Sequence, residues 1–427
     1  LSQPKEFSRE KHRSVWRAGL FSDNSPQHKK GIIEEMDSQV VLDAPLLDTG
    51  VSTVRPDRSQ FVDSLTVEER EQIFGIYCEV WGERACEQIK RIFSWKFEKN
   101  PNLSPRELEV AVYRSQGRIV ALLGAIPYVL KIGNRVERSS WLFDFISLPE
   151  FRSKGLWIAY KVAYSRPVII GAPNSEVAYR TWKMMGKRYN GAEIDIGTYR
   201  HLVKFIAIDH LPPVRRLLVL KPLVLLANWM WKVLSSALWS RPWRRRDESV
   251  EIQPVERFGP EFDEFWERAC RGYEIIPKRS SEYLNWRYLE HPDNNYRSFI
   301  AKREGQICGY LVLHAVSLKN GEGGRIVDIL AERGDEVAFG RMAEFAVQFF
   351  KKRGAKEVRA LESRCPALQD VYRRLGFKAS FSRQKPLRLI GWTWIDDIPK
   401  DYFHNGDNWY FTYADCESDM MPVGLRE

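Results

Sequence analysis

The sequence predicts an α/β protein built from two tandem copies of one unit, each copy a mixed β-sheet flanked by helices. Three observations predict it. An aromatic word with a W-K/R-F/Y core ending in proline occurs twice, as Phe93-Ser-Trp-Lys-Phe-Glu-Lys-Asn-Pro101 and Leu284-Asn-Trp-Arg-Tyr-Leu-Glu-His-Pro292. A hydrophobic run interrupted by an aspartate follows each word, Trp141-Leu-Phe-Asp144-Phe-Ile146 and Ile326-Val-Asp328-Ile-Leu330. An amphipathic helix ending at glycine comes later in each copy, Tyr179 to Gly186 and Asp370 to Gly376. Matched positions are offset by about 184 to 191 residues in unchanged order, and a long-period repeat is a property of the whole chain.

The elements follow in order. Thr66 to Ile92 reads as helix, with Glu68, Glu69 and Glu71 near its positive end and Ile73, Ile76, Tyr77, Val80 and Trp81 at helical spacing. Leu108 to Tyr113 and Ile119 to Leu130 read as strands around the turn Ser115-Gln-Gly-Arg118. Gly133-Asn134 makes a second turn, and Ser139 to Leu148 is a strongly apolar strand. Residues 149–157 form a polar loop, a helix runs to about Tyr164, and Pro167 to Gly171 is a short buried strand. The helix from Asn174 to Gly186 and two β-rich segments to Phe205 complete the first copy. The second starts near Val250 and repeats helix, aromatic word, hairpin and central strand. It continues with a helix over Asp335 to Arg353, a strand over Glu357 to Leu361, a helix over Pro366 to Leu375 and terminal strands. The expected organisation is a disordered segment over 1–60, domains over 61–205 and 250–427, and a linker over 206–249. Met36 is a candidate start, with 1–35 a leader or upstream segment, and no secretory signal pattern precedes it.

With 427 residues the chain exceeds what one core usually serves. The net charge of +10 permits an anionic partner without identifying one, and no stacked aromatic-and-basic pattern points to nucleic acid. Six cysteines without CxxC spacing and seven scattered histidines argue against a metal site and a disulfide framework. This fits a reducing, cytoplasmic setting. The linker carries an apolar run from Leu217 to Trp239, flanked by arginines at 215, 216, 241 and 244–246. Lys221, Pro222 and Lys232 interrupt it and disfavour a spanning helix. Two readings remain for residues 211–246: a helix packed between domains, or an interfacial helix on an anionic membrane such as the inner membrane.

The junction Leu148-Pro-Glu-Phe-Arg152-Ser-Lys-Gly155-Leu-Trp157 puts basic residues and a glycine where a strand hands over to a helix N-terminus. Free backbone N–H groups there suit a phosphate. The run resembles the acyl-CoA pyrophosphate loop of the GNAT superfamily of N-acetyltransferases, Q/R-x-x-G-x-G/A after V-x-P-E-Y/F. Pro173-Asn174…Ala178…Trp182…Gly186 and Ala367…Tyr372-Arg-Arg-Leu-Gly376-Phe377 resemble that superfamily's next helix. The resemblance covers about residues 60–205 and 250–415, and the plan is similar to bacterial tandem-domain acyltransferases, Fem-like or associated with polysaccharide biosynthesis.

The resemblance implies an N-acyltransferase that takes acetyl-CoA or another acyl-CoA and an amine of a metabolite, sugar or peptide-like acceptor, without a metal. It implies cofactor contacts from Ser147, Leu148, Arg152, Ser153, Lys154, Gly155, Leu156, Trp157 and Asn174. Asp144 becomes the candidate base and Tyr372 the candidate acid; a structural aspartate and a core tyrosine are the alternatives. Trp157 and Trp182 replace a small residue and a tyrosine of the pattern, and Ala331-Glu-Arg-Gly-Asp335 lacks the loop altogether. The cofactor is therefore expected in the first copy only. A non-catalytic binding module and an aminoacyl-tRNA-dependent transferase stay open as other functions.

Overall fold

The computed structural model describes residues 64–103, 108–151, 166–173, 175–190, 194–206, 249–293, 295–318, 321–380 and 386–416, together with 155, 158, 159, 162 and 230. All lie in one unit, Arg55–Glu427. The expectations for residues 1–60 and, apart from an exposed, helical Met230, for the linker over 211–246 lie outside these residues.

The first helix is capped as its sequence asks. Thr66 accepts from the Glu69 N–H, and the Glu69 carboxylate accepts from the Thr66 N–H, over helix α1, Val67–Trp81. The expected single helix is two, because Gly82 at φ +85° breaks it and α2, Glu83–Phe97, starts there. A side chain would be strained in that conformation. The sequence expectation of no disulfide is also corrected. Cys78 and Cys86 flank the break and are bonded across it, because the turn at Gly82 brings their Cα atoms to 4.9 Å. The first aromatic word ends α2; the second lies on Ser281–Leu284 and the wide helical turn Asn285–Leu289 that continues it.

The described strands form two seven-stranded mixed sheets. In the first, β1 (Val110–Ser115), β2 (Arg118–Ile132), β3 (Arg135–Ser147), β4 (Val168–Gly171), β14 (Leu387–Thr393) and β5 (Asp195–Tyr199) lie in that spatial order, and β8 (Ile275–Pro277) pairs with β2. The second has the order β7 (Val250–Pro254), β9 (Tyr296–Arg303), β10 (Gln306–Leu318), β11 (Gly321–Ala331), β12 (Glu357–Leu361), β6 (His201–Phe205), β13 (Lys378–Ala379). The orders match strand for strand from β1 and β9 onward. The leading hairpins even share their turn, with Gln116 and Gly117 at φ 51° and 79° and Glu304 and Gly305 at 51° and 81°.

The match exposes an exchange. β6 comes from the first half of the chain but sits between β12 and β13. β14 comes from the second half and occupies the corresponding place between β4 and β5. Each sheet is completed by the other half's strand. The two aromatic words meet on the same pseudo-symmetry. Trp95 and Trp286 stack at 4.7 Å and 14°, and each indole donates to the other's backbone carbonyl, at 2.8 and 3.0 Å.

Both parallel pairs splay. β3 pairs β4 only through Ser139, Ser140 and Trp141, and β11 pairs β12 only through Gly324 and Arg325. Beyond those residues the central strand keeps its antiparallel neighbour but loses its parallel one, so a wedge opens in each sheet. Helices flank the sheets. Glu176–Asn190 (α3) and the helical residues Gly155, Ile158, Ala159 and Val162 share a core with one face of the first sheet, through Leu142, Trp182 and Trp392. Pro260–Ala269 (α4), Glu336–Lys352 (α6) and Pro366–Arg374 (α7) join the main core, which runs through both halves; α5 denotes Ser281–Leu284.

Candidate functional site

The first wedge opens beside Asp144. Against β2, strand β3 bulges so that Asp144 and Phe145 together face Leu123, and Asp144 takes φ +41°. Aspartate tolerates this region better than most residues, and bulges re-aim a side chain. Tyr77 on α1 donates its hydroxyl to Asp144 Oδ2 at 2.9 Å, and the Lys96 ammonium on α2 meets the same oxygen at 2.6 Å. The lysine is 2 % exposed, with Nζ 4.9 and 4.5 Å from the ring centres of Phe97 and Phe143. Asp144 Oδ1 has no hydrogen-bond partner among the described residues, and the residue is 8 % exposed.

The second wedge carries the matched aspartate in a different condition. Asp328 is 0 % exposed and both its oxygens are taken. Oδ2 accepts from Arg279 Nε at 3.0 Å, Tyr310 at 2.6 Å and Tyr288 at 3.1 Å; Oδ1 accepts from Thr412 at 3.0 Å and the Ile329 N–H at 3.1 Å. Arg279 also bonds Asp415, so one buried guanidinium serves two carboxylates. Burial lowers the affinity of Arg279 for its proton, but the two aspartates outweigh it and push the pKa well up. Burial pushes Asp415 up to about 6 against the pull of Arg279, with Asp328 adding repulsion. Burial likewise holds the Tyr288 and Tyr310 hydroxyls well above their usual range.

The chain fills this second wedge itself. The buried segment Trp409–Cys416 lies along β11, where Tyr410 donates to the Ile329 carbonyl. Tyr273 donates to the next carbonyl on that edge, Ala331, at 2.7 Å, and its ring lies 4.6 Å from that of Tyr410. Phe411 reaches back to stack on Trp141 at the mouth of the first wedge.

The residues expected from the sequence fall into three groups. Asp144, Ser147 and Leu148 lie on or just past the splayed end of β3, and Gly155 packs against it. A Cβ at Gly155 would meet Phe145 at 3.3 Å and Ser147 at 3.4 Å, so glycine lets this helix approach the strand closely. Arg152, Ser153, Lys154, Leu156, Trp157 and Asn174 lie outside the described residues. Tyr372 is on α7 in the second half, 3 % exposed, with its ring 5.0 Å from Phe377; burial raises its hydroxyl pKa. Among the described residues no contact joins it to Asp144. Trp182 packs between Phe145 and Trp392, each at 5.8 Å.

Tyr77, Lys96, Arg279, Thr412 and Asp415 are the site residues that sequence reasoning did not single out. Lys96 had a signal, since the repeated word has a cation at that place in both copies. Its counterpart Arg287 bonds Tyr296 at 3.2 Å instead, and Arg279 serves the second aspartate.

No protein-family model matches the sequence, and no curated protein matches it. Solved structures do. A conserved protein of unknown function from Enterococcus faecalis V583, a probable N-acyltransferase, is 11% identical over 77% of this chain and 71% of its own, with a TM-score of 0.50. A GCN5-related N-acetyltransferase from Anabaena variabilis ATCC 29413 is 13% identical over 76% and 70%, with a TM-score of 0.48. N-myristoyltransferase of Saccharomyces cerevisiae with bound myristoyl-CoA is 13% identical over 82% and 86%, with a TM-score of 0.47. At these identities the likeness is one of fold. The chain is a mixed α/β protein of two sheets flanked by helices, similar in fold to the Enterococcus faecalis protein.

Proposed function

We propose that the protein is an acyl-CoA-dependent N-acyltransferase whose chemistry takes place at the first wedge. One observation carries the reading: of two matched aspartates, Asp144 keeps an oxygen unbonded by any described residue beside an open strand edge, whereas Asp328 is saturated and sealed. The similar fold of a probable N-acyltransferase supports the acyltransferase part of the reading.

The acyl-CoA lies in the wedge between β3 and β4, with its pyrophosphate over residues 152–157. Backbone N–H groups on the freed edge of β3 polarise the thioester carbonyl. The acceptor amine gives a proton to Asp144 Oδ1, its nitrogen bonds the carbonyl carbon, and the C–S bond breaks. The CoA thiolate takes a proton from solvent. A sugar, amino-acid or peptide-like amine suits a carboxylate base, and the acyl group is acetyl or a related chain.

Calorimetry with acetyl-CoA, followed by thiol release in the presence of glucosamine, lysine or glycylglycine, tests this. Binding of one acetyl-CoA per chain and amine-dependent thiol release are expected. Arg152→Ala should weaken binding by about one to two orders of magnitude, because charge-assisted hydrogen bonds to phosphate are strong. Asp144→Asn should keep binding and lower turnover about 100-fold or more. No binding at millimolar acetyl-CoA would move the reading to a non-catalytic module.

A further inference from the structure

Asp144 does not stand alone, and the way it is held points to a role for a residue that no motif marks. We propose that Lys96 is the positioning residue of this site, with Tyr77 as its partner, and that it acts on the acceptor through Asp144. The inference rests on the reading of Asp144 given above.

Lys96 comes from the last turn of α2 and is almost wholly buried, yet it faces a single carboxylate among the described residues. A lysine is costly to bury and remains in such a place only when paired. Its ammonium and the Tyr77 hydroxyl both bind Oδ2 of Asp144, at 2.6 and 2.9 Å. Two donors from two helices thus fix the carboxylate plane, and only Oδ1 remains for an incoming proton.

The phenyl rings explain how the pair survives the reaction. When Oδ1 takes the amine proton, Asp144 loses its charge and Lys96 loses its counter-ion. Phe97 and Phe143 present their rings to Nζ at 4.9 and 4.5 Å, within the range where an aromatic face attracts a cation, and hold the ammonium during that interval. When the proton passes on to solvent, the ion pair re-forms. The backbone enforces the arrangement: a Cβ at Gly124 would come within 2.8 Å of Phe97 and 3.7 Å of the Asp144 Cβ, so β2 carries no side chain there.

The second copy is the internal contrast. There the matched aspartate binds an arginine shared with Asp415, and both oxygens are engaged. A carboxylate saturated on both sides is a structural tie. One bound on a single oxygen is positioned and still available.

The test uses the full chain, acetyl-CoA, and whichever of glucosamine, lysine or glycylglycine gives the greater turnover. Lys96→Met should lower kcat about 100-fold while KM for acetyl-CoA stays within about threefold, because the lysine touches the base and not the cofactor. Lys96→Arg, which keeps the charge, should recover at least about tenfold of that loss. Tyr77→Phe, which is nearly isosteric, should lower kcat about tenfold and keeps the idea testable should Lys96→Met fail to fold. Full kcat in Tyr77→Phe and in whichever lysine variants fold would overturn the proposal while leaving Asp144 in place. So would equal losses in the methionine and arginine variants with KM raised in both, since a packing role predicts that pattern. A wild-type chain that releases no thiol with any of the three amines overturns the acyltransferase reading, and this inference with it.

Discussion

The reciprocal indoles give a stability prediction that can be worked from distances. Trp286→Phe removes the N–H that satisfies the Trp95 carbonyl at 3.0 Å, in a place where both tryptophans are under 5 % exposed. A buried carbonyl left without its donor costs about 1–3 kcal/mol. The smaller ring adds a partly unfilled space, about 1 kcal/mol more. Trp95→Phe does the mirror-image damage to the Trp286 carbonyl at 2.8 Å. Each single variant should therefore lose roughly 2–4 kcal/mol, out of the ~5–15 kcal/mol that usually separates folded from unfolded chains. The double variant should lose less than the sum by about 0.5–1.5 kcal/mol, because a stack at 4.7 Å and 14° is already gone after the first substitution. Urea unfolding followed by far-ultraviolet circular dichroism measures all four proteins without relying on the altered fluorophores. A single variant within about 0.5 kcal/mol of wild type, or strictly additive losses, would refute the idea that the two words lock the halves to one another.

The strand exchange predicts that residues 64–206 and 249–416 fail to fold when produced separately, since each would lack a strand from inside its sheet; circular dichroism of a soluble half with native-like sheet content would count against it. Asp328→Asn should cost about 3–5 kcal/mol, because it strips a buried arginine of one of its two counter-charges, and Asp144→Asn should cost a comparable amount, because it leaves the buried Lys96 without the carboxylate it faces; thermal unfolding of both variants checks this. The Asp415 carboxyl gives a pH signature. Its folded pKa of about 6 lies above the ordinary value of 3.8, so between those values the folded chain holds a proton that the unfolded chain has released. The contribution of this group to stability is thus greatest below pH 4, falls as pH rises through 6, and is at its least at neutrality. Comparing the pH dependence of unfolding in wild type and Asp415→Asn should show that the slope between pH 4 and 6 flattens in the variant.

Much of this was legible in local chemistry. Alternation, turn residues and caps follow from short stretches of chain, so the hairpins at Gly117 and Gly305, the strand Glu357–Leu361 and the two-copy plan could be read from order alone. The repeat also singled out both aspartates, because a polar residue inside a buried strand interrupts an otherwise apolar pattern. What each aspartate does was not legible, since that depends on partners 48 to 136 residues distant along the chain from the groups they meet: Lys96 and Tyr77 for one, Arg279, Thr412 and Asp415 for the web around the other. The break at Gly82 and the bond between Cys78 and Cys86 were hidden behind a helical periodicity that runs straight through them.

Sequence by itself determined the α/β class, the repeated unit and the polar points in its central strands, because these follow from residue type and spacing. Only the tertiary structure decided which half completes which sheet and which aspartate stays open. Backbone hydrogen bonds in a sheet carry no label of origin, so β6 and β14 fit either place by pattern. Their assignment comes from packing across the whole core, as does the segment Trp409–Cys416 that closes one wedge with its own tyrosines while Phe411 stacks on Trp141 at the mouth of the other.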